Sequence, residues 1–186
     1  MKRIHYLLIV AAFLVFVPMS DACVGRILYI GIPSSPNEQL LAEMVSILIN
    51  ERTGSNVKIL FYKDSKELYN AVKQGQIGML IENTDRAMEV LGKPKETNMK
   101  TAYELIKSEY RKNLNLVWLE PFGGAQHYAP VLTVETLTNY PALPKLISKL
   151  TAALNNETYA KLFKSVKSDE KPKKVAKDYL KAKKLI

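Results

Sequence analysis

Two residue types that commonly carry out nucleophilic or acid–base catalysis are scarce in this chain. Cys23 is the only cysteine, and His127 is the only histidine after His5. A serine nucleophile at a sharp strand-to-helix turn would need a Gly-x-Ser-x-Gly motif to accompany His127, and the sequence contains none. So few Cys and His side chains also make a zinc site unexpected. The sequence therefore predicts no enzyme, no metal site and no cofactor.

Glu82 is the remaining candidate for acid–base chemistry, because it follows the apolar segment 77–81. A carboxylate at the end of a strand can act as a general base in principle. A hydrogen-bonding or helix-capping role is the better interpretation, since no other catalytic group accompanies it. The chain also lacks a Gly-x-x-x-x-Gly-Lys-Ser/Thr phosphate loop. Binding rather than catalysis is the class of function to consider.

The first residues have the three parts of a secretory signal peptide. Lys2 and Arg3 precede the 12-residue apolar run 6–17, and the small-residue sequence Ser20-Asp21-Ala22 follows. A membrane-spanning helix needs about 20 apolar residues, so the run is short for one. We predict a signal peptide over residues 1–22 and an exported mature chain, 23–186, in the periplasm or at the outer face of the cytoplasmic membrane. An uncleaved anchor is the alternative.

Cys23 directly follows the predicted cleavage site, which is the position of the lipidated cysteine in bacterial lipoproteins. The match is imperfect, because Ser20 stands where such sites usually have Leu and Asp21 where they have a small residue. Cys23 is therefore a candidate lipid-attachment residue, with cleavage without lipidation as the alternative.

The net charge of +9 is concentrated at one end of the chain. Residues 145–186 contain 12 Lys against four acids, which gives +8, whereas the 13 basic and 13 acidic residues of 23–144 cancel. Such a Lys-rich end can attract an anionic surface or an acidic partner. The lysines have no arginine or aromatic side chains between them of the kind that single-stranded nucleic acid needs, so nucleic acid is not expected. Solvated helix faces are the simpler interpretation.

The positions of apolar residues predict alternating strands and helices. The predicted strands are 26–32, 57–62, 77–81, 116–119 and 128–134. The predicted helices are 35–53, 65–73, 84–91 and 101–112, followed by three C-terminal helices that contain 143–154, 159–166 and 175–180. Ser35 and Glu38 have the spacing of a capping box at the first helix. This order predicts an α/β fold with a largely parallel sheet flanked by helices.

Several short motifs, in one order along the chain, resemble the glycine betaine, choline and osmoprotectant branch of ABC-transporter substrate-binding proteins, a type II periplasmic binding protein family. They are Ile30-Gly31 before Glu38-Gln39-Leu40, Ala71-Val72-Lys73-Gln74-Gly75-Gln76-Ile77, Glu82-x-Thr84, 116–121, Ala129-Pro130-Val131, Tyr140-Pro141-x-Leu143, and the spacing from Val175 to Leu180. The resemblance implies a solute-binding protein that delivers its ligand to an ABC permease.

In that family two α/β lobes close on a quaternary ammonium solute, which aromatic faces hold by cation–π interaction. The resemblance implies ligand-binding positions at Glu38, Gln39, Glu82, Asn83 and Thr84. The chain departs from the family pattern where aromatic residues surround the glutamate, since Leu80 and Asn83 stand there. We therefore expect solute binding to be weakened or lost.

The resemblance breaks after Pro121. Within about five residues, the chain passes from the end of the family's first lobe into its C-terminal segment, so the second lobe is missing. We predict a single periplasmic-binding-protein-like lobe, made of a first-lobe segment 23–122 and a return segment 126–186. The alternative function is a single-lobe periplasmic scaffold that docks a protein partner or a membrane surface.

Overall fold

The structure, a computed structural model, describes residues 27–123, 127–167 and 170–186. Its centre is a five-stranded sheet with the strand order β2-β1-β3-β5-β4. The strands are β1 (Leu28–Pro33), β2 (Val57–Tyr62), β3 (Met79–Asn83), β4 (Leu116–Trp118) and β5 (Tyr128–Thr133). The predicted signal peptide, Cys23 and the predicted boundary at residue 126 lie outside the described residues and stay predictions.

Helices cover both faces of this sheet. They are α1 (Pro36–Thr53), α2 (Ser65–Lys73), α3 (Thr84–Val90), α4 (Met99–Leu114), α5 (Val134–Asn139), α6 (Leu143–Ala153), α7 (Asn156–Lys167) and α8 (Pro172–Ala182). The predicted α/β fold class is confirmed. None of the helices in the described ranges is long and apolar enough to cross a membrane.

Four of the five strands run in the same direction. β1 pairs in parallel with β2 and β3, whereas β5 is antiparallel to both β3 and β4. The nine residues 119–127 join β4 to β5. A parallel neighbour would need a crossover of a dozen or more residues, so this connection allows only an antiparallel return. The predicted parallel sheet thus holds for the first-lobe strands, and the return strand makes it mixed.

Helix α1 is buried on nearly all sides. Residues 40–42 and 44–49 are all buried, because the sheet lies on one side of the helix and α6, α7 and α8 lie on the other. A second apolar cluster, on the opposite face of the sheet, packs α2, α3 and α4. The Lys-rich end is therefore helical and docked, as its apolar spacing predicts.

Apart from small shifts in the bounds of several elements, local structure differs from the prediction at α5 and at the start of α1. Helix α5 was not predicted, because the apolar pattern of 128–134 continues into the first residue of this helix. The side chain of Thr133 begins α5 by accepting a hydrogen bond from the Thr136 backbone N–H at 3.1 Å. At α1, the hydroxyl of Ser35 bonds to the Glu38 carboxylate rather than to the helix backbone, so the predicted capping box is wrong.

Candidate functional site

The predicted ligand-binding positions meet at one edge of the sheet. Glu38 and Gln39 lie in the first turn of α1, just after β1, and Asn83 ends β3. Since β1 and β3 are parallel neighbours, their carboxyl ends lie side by side, which is where α/β folds commonly bind ligands. This edge is called the carboxyl edge below.

Glu82 has no exposed surface, and hydrogen bonds surround its carboxylate. The Tyr69 hydroxyl donates to Oε2 at 2.6 Å, and the Asn83 backbone N–H donates to Oε1 at 2.8 Å. Tyr69 also shares a 2.6 Å hydrogen bond with the hydroxyl of Tyr110. Burial raises the pKa of Glu82, although Arg86 and these hydrogen bonds oppose the shift. Glu82 is thus a hydrogen-bonded interior group, which agrees with the interpretation favoured from the sequence.

Arg86 connects Glu38 and Glu82. Its Nε forms an ion pair with Glu82, and its Nη1 donates to Glu38 Oε1 at 2.9 Å. Its Nη2 donates to the Ile81 carbonyl at 3.1 Å. The guanidinium side chain is 13% exposed, against 2% for Glu38. Burial lowers the pKa of Arg86, but the charges of Glu82 and Glu38 outweigh burial and raise it.

The sequence does not single out Arg86, because the spacing Glu82-x-x-x-Arg86 indicates an ion pair only where both residues lie on one helix. Residues four apart face each other on a helix. Here a strand ends at Asn83 and a helix begins at Thr84, between the two residues. Helical spacing therefore does not predict that Glu82 and Arg86 form a pair.

Two further predicted positions serve the local backbone. The Asn83 side chain caps α3 by accepting a hydrogen bond from the Arg86 backbone N–H at 2.8 Å. The buried Thr84 hydroxyl donates to the His127 carbonyl at 3.3 Å and so joins α3 to the start of β5. Gln39 is half-buried one residue after Glu38. These contacts hold the carboxyl edge together.

Aromatic side chains are present near the carboxyl edge, but they pack inside the fold. Asn37 donates to the Tyr128 hydroxyl at 3.2 Å and accepts from the Tyr159 hydroxyl at 3.1 Å. Both tyrosines are buried, and the Tyr159 ring stacks on Phe163 with ring centroids 6.1 Å apart. Burial raises the pKa of both phenols. Their faces therefore do not form an open cage for a cation.

The cavities in the described part of the chain lie away from the carboxyl edge. One of about 680 Å³ lies at the opposite end of β1 and β3, where Tyr29, Gly78, Thr136 and Tyr140 are among its lining residues. Another of about 390 Å³ lies between α4 and α6, beside Trp118. None of the predicted ligand-binding residues lines either cavity.

Solved structures share this fold. A crystal structure of a glycine betaine/carnitine/choline ABC transporter matches with a TM-score of 0.78 at 12% identity, covering 85% of this chain and 99% of that chain. The apo structure of YehZ from Escherichia coli matches with a TM-score of 0.77 at 14% identity, covering 86% of this chain and 99% of that chain. No curated protein matches the chain in sequence.

The family described as the substrate-binding domain of ABC-type glycine betaine transport systems matches residues 28–129 and, separately, 112–182. The two matches overlap over 112–129, which contains β4 and its connection to β5. The chain has the size of a single lobe, and the break after Pro121 stays a prediction. Together the matches cover well over half of the sequence, so the chain belongs to the family of glycine betaine ABC-transporter substrate-binding domains.

Proposed function

We propose that this protein is an exported, single-lobe relative of an osmoprotectant-binding subunit in which solute binding is weakened or lost. The observation that carries this proposal is the position of Arg86 between Glu38 and Glu82. Both carboxylates already have a cation as partner, and their side chains are 2% and 0% exposed. A quaternary ammonium group would have to displace a buried guanidinium to reach them.

The connection between β4 and β5 supports the same conclusion. Its nine residues join neighbouring strands, so no second lobe can form between them. A ligand on the carboxyl edge would keep one side in water. Micromolar affinity corresponds to roughly 8 kcal/mol, whereas each good cation–π contact contributes about 0.5–2 kcal/mol. A half-exposed site without an aromatic cage falls well short of micromolar affinity.

Thermal unfolding of the predicted mature chain, 23–186, with glycine betaine and with choline tests this proposal. Stabilisation by a ligand is RT ln(1 + [L]/Kd), so a ligand present at a hundred times its Kd contributes about 2.7 kcal/mol. We expect about 0.4 kcal/mol or less at millimolar ligand, as for a Kd of about 1 mM or weaker. Calorimetry should agree. A low micromolar Kd for either solute would overturn the proposal.

A second candidate is a scaffold that docks an ABC permease or another periplasmic or membrane protein. Phe61 favours it, because this side chain is 53% exposed on the edge strand β2, one residue before the strand ends at the carboxyl edge. An exposed aromatic residue beside an open strand edge suits a protein contact.

A photo-crosslinking residue placed at Phe61, and in a control at the exposed Lys93, tests the second candidate in cells. We expect one defined crosslinked protein from position 61 and none from position 93. Equal crosslinking from both positions would show nonspecific contact and remove this candidate.

A further inference from the structure

The C-terminal helices form a strongly cationic layer, defined here as residues 143–186 with α6, α7 and α8. It contains 12 Lys, no Arg and four acids, so its formal charge is +8. The remainder of the predicted mature chain is close to neutral, because its 13 basic and 13 acidic residues cancel. Nearly all of the net charge therefore lies on one layer of the fold.

The fold directs these lysines outward. The inner faces of the three helices pack against α1 through buried residues such as Ile147, Leu150, Val175 and Leu180. The outer face carries exposed lysines at 145, 149, 161, 164, 171, 173, 174, 177, 181, 183 and 184. Because α1 separates this layer from the sheet, the charge occupies the outer surface of one side of the molecule.

Acidic residues neutralise only part of this charge. Lys161 pairs with Glu157 at 2.6 Å, and Lys174 lies 3.3 Å from Asp178 and 3.6 Å from Glu170. These pairs are solvent-exposed and therefore screened. From α1, Glu51 lies 4.0 Å from Lys177, and Glu43 is close enough to Lys173 to feel its charge. Six acids still cannot match 12 lysines, so the layer keeps a large positive potential.

We propose that this cationic layer adsorbs to the anionic surface of a lipid bilayer. A protein interface depends on a desolvated apolar or aromatic centre, and the layer shows none: the exposed large hydrophobic residue found in the described ranges, Phe61, lies on β2. Single-stranded nucleic acid needs aromatic faces for stacking. Tyr159 and Tyr179 are buried, and the half-buried Phe163 already stacks on the Tyr159 ring. Lipid headgroups are mobile, so they adapt to lysines spread over three helices.

Each lysine near an anionic bilayer strengthens adsorption about fivefold. Three lysines acting independently therefore contribute roughly a hundredfold. Lys173, Lys174 and Lys177 are suitable for a test, because all three are exposed on α8 and none is part of its buried face.

Co-sedimentation of chain 23–186 with lipid vesicles tests the proposal. We expect binding to vesicles containing phosphatidylglycerol, no binding to pure phosphatidylcholine, and loss of binding as salt rises well above about 0.1 M. The triple variant Lys173→Gln, Lys174→Gln, Lys177→Gln should bind roughly a hundredfold more weakly.

The matched control carries the same charge change on the opposite side of the sheet. Lys66→Gln, Lys93→Gln, Lys100→Gln alters three exposed residues on or beside α2–α4 and should change binding by a few-fold at most. Circular dichroism verifies that both triple variants fold. Equal losses in the two variants, binding to pure phosphatidylcholine, or tighter binding to a single-stranded oligonucleotide with the same lysine dependence would each overturn the proposal.

Discussion

Glu82 and Arg86 show how single residues decide whether the carboxylates at the carboxyl edge are free to bind a cationic solute. The sequence marks Glu82 as a polar group at a strand end, and its hydrogen-bonding role follows from that position. What the sequence does not show is that Arg86 folds back over Ile81, because this contact depends on the angle at which α3 leaves β3. Glu38 and Glu82 are therefore predicted as site residues by the motif order, whereas their cation is not.

We expect Arg86→Ala to lower the free energy of unfolding by about 3–5 kcal/mol at neutral pH, because it leaves two buried carboxylates without a cation. Arg86 lowers the pKa of Glu82, so its removal raises that pKa further. The unfolded chain then ionises first, and the destabilisation grows as pH rises from about 4.5 through the raised pKa. Urea unfolding at acid and neutral pH measures both effects.

The control is Lys95→Ala, which removes an exposed partner of Asp85 in a 2.7 Å ion pair. Exposed pairs contribute about 0–1 kcal/mol, so this variant should be close to the wild type. Similar losses for the two variants would show that the Arg86 pair is no stronger than a surface pair.

At the scale of elements, the sequence predicts a strand or helix best when one of its sides is polar and the other is buried. Strand β2 and helix α2 have the predicted bounds, since each has polar residues on one side and turn residues at both ends. The direction of β5 could not be read from its residues, because Tyr128–Leu132 are all buried and give no alternation. Its direction follows from the length of the connection before it.

The connection between β4 and β5 is held by close packing against the turn between α6 and α7. The Gly123 N–H donates to the Leu154 carbonyl at 3.0 Å. A Cβ on Gly123 would contact the Leu154 oxygen and lie 2.7 Å from the Asn156 nitrogen, and both are backbone atoms that cannot rotate away.

We therefore expect Gly123→Ala to lower the free energy of unfolding by about 1–3 kcal/mol, as overpacking does. The measurement is urea unfolding followed by circular dichroism. Glu120→Ala, an exposed change in the same connection, should have an effect within about 0.5 kcal/mol. A neutral Gly123→Ala would mean that the turn can move away from the connection.

At the scale of the whole molecule, the two predicted segments form one structural unit. Strand β5 of the return segment lies between β3 and β4 of the first-lobe segment, and α8 packs along α1. The motif order predicts both segments, but only the sheet order shows that they contribute strands to one sheet. Both segments thus contribute to the apolar clusters on the two faces of the sheet.

A single cooperative unfolding transition should result. Leu48→Ala, in the cluster beneath the cationic layer, and Ile106→Ala, in the cluster on the opposite face, should each lower stability by about 2–5 kcal/mol. Both should shift one common calorimetric transition. Two resolved transitions, each sensitive to one variant, would contradict a single unit.

The connection between β4 and β5 is also a suitable site for inserting a foreign domain. Leu119 and Pro130 are joined by a 3.0 Å backbone hydrogen bond, and Phe122 and Tyr128 by one of 2.7 Å. A foreign domain with closely spaced termini can therefore be inserted between Phe122 and Tyr128 without breaking the hydrogen bonds of the sheet. Such a chimera would display its cargo at the carboxyl edge while the cationic layer stays free on another side.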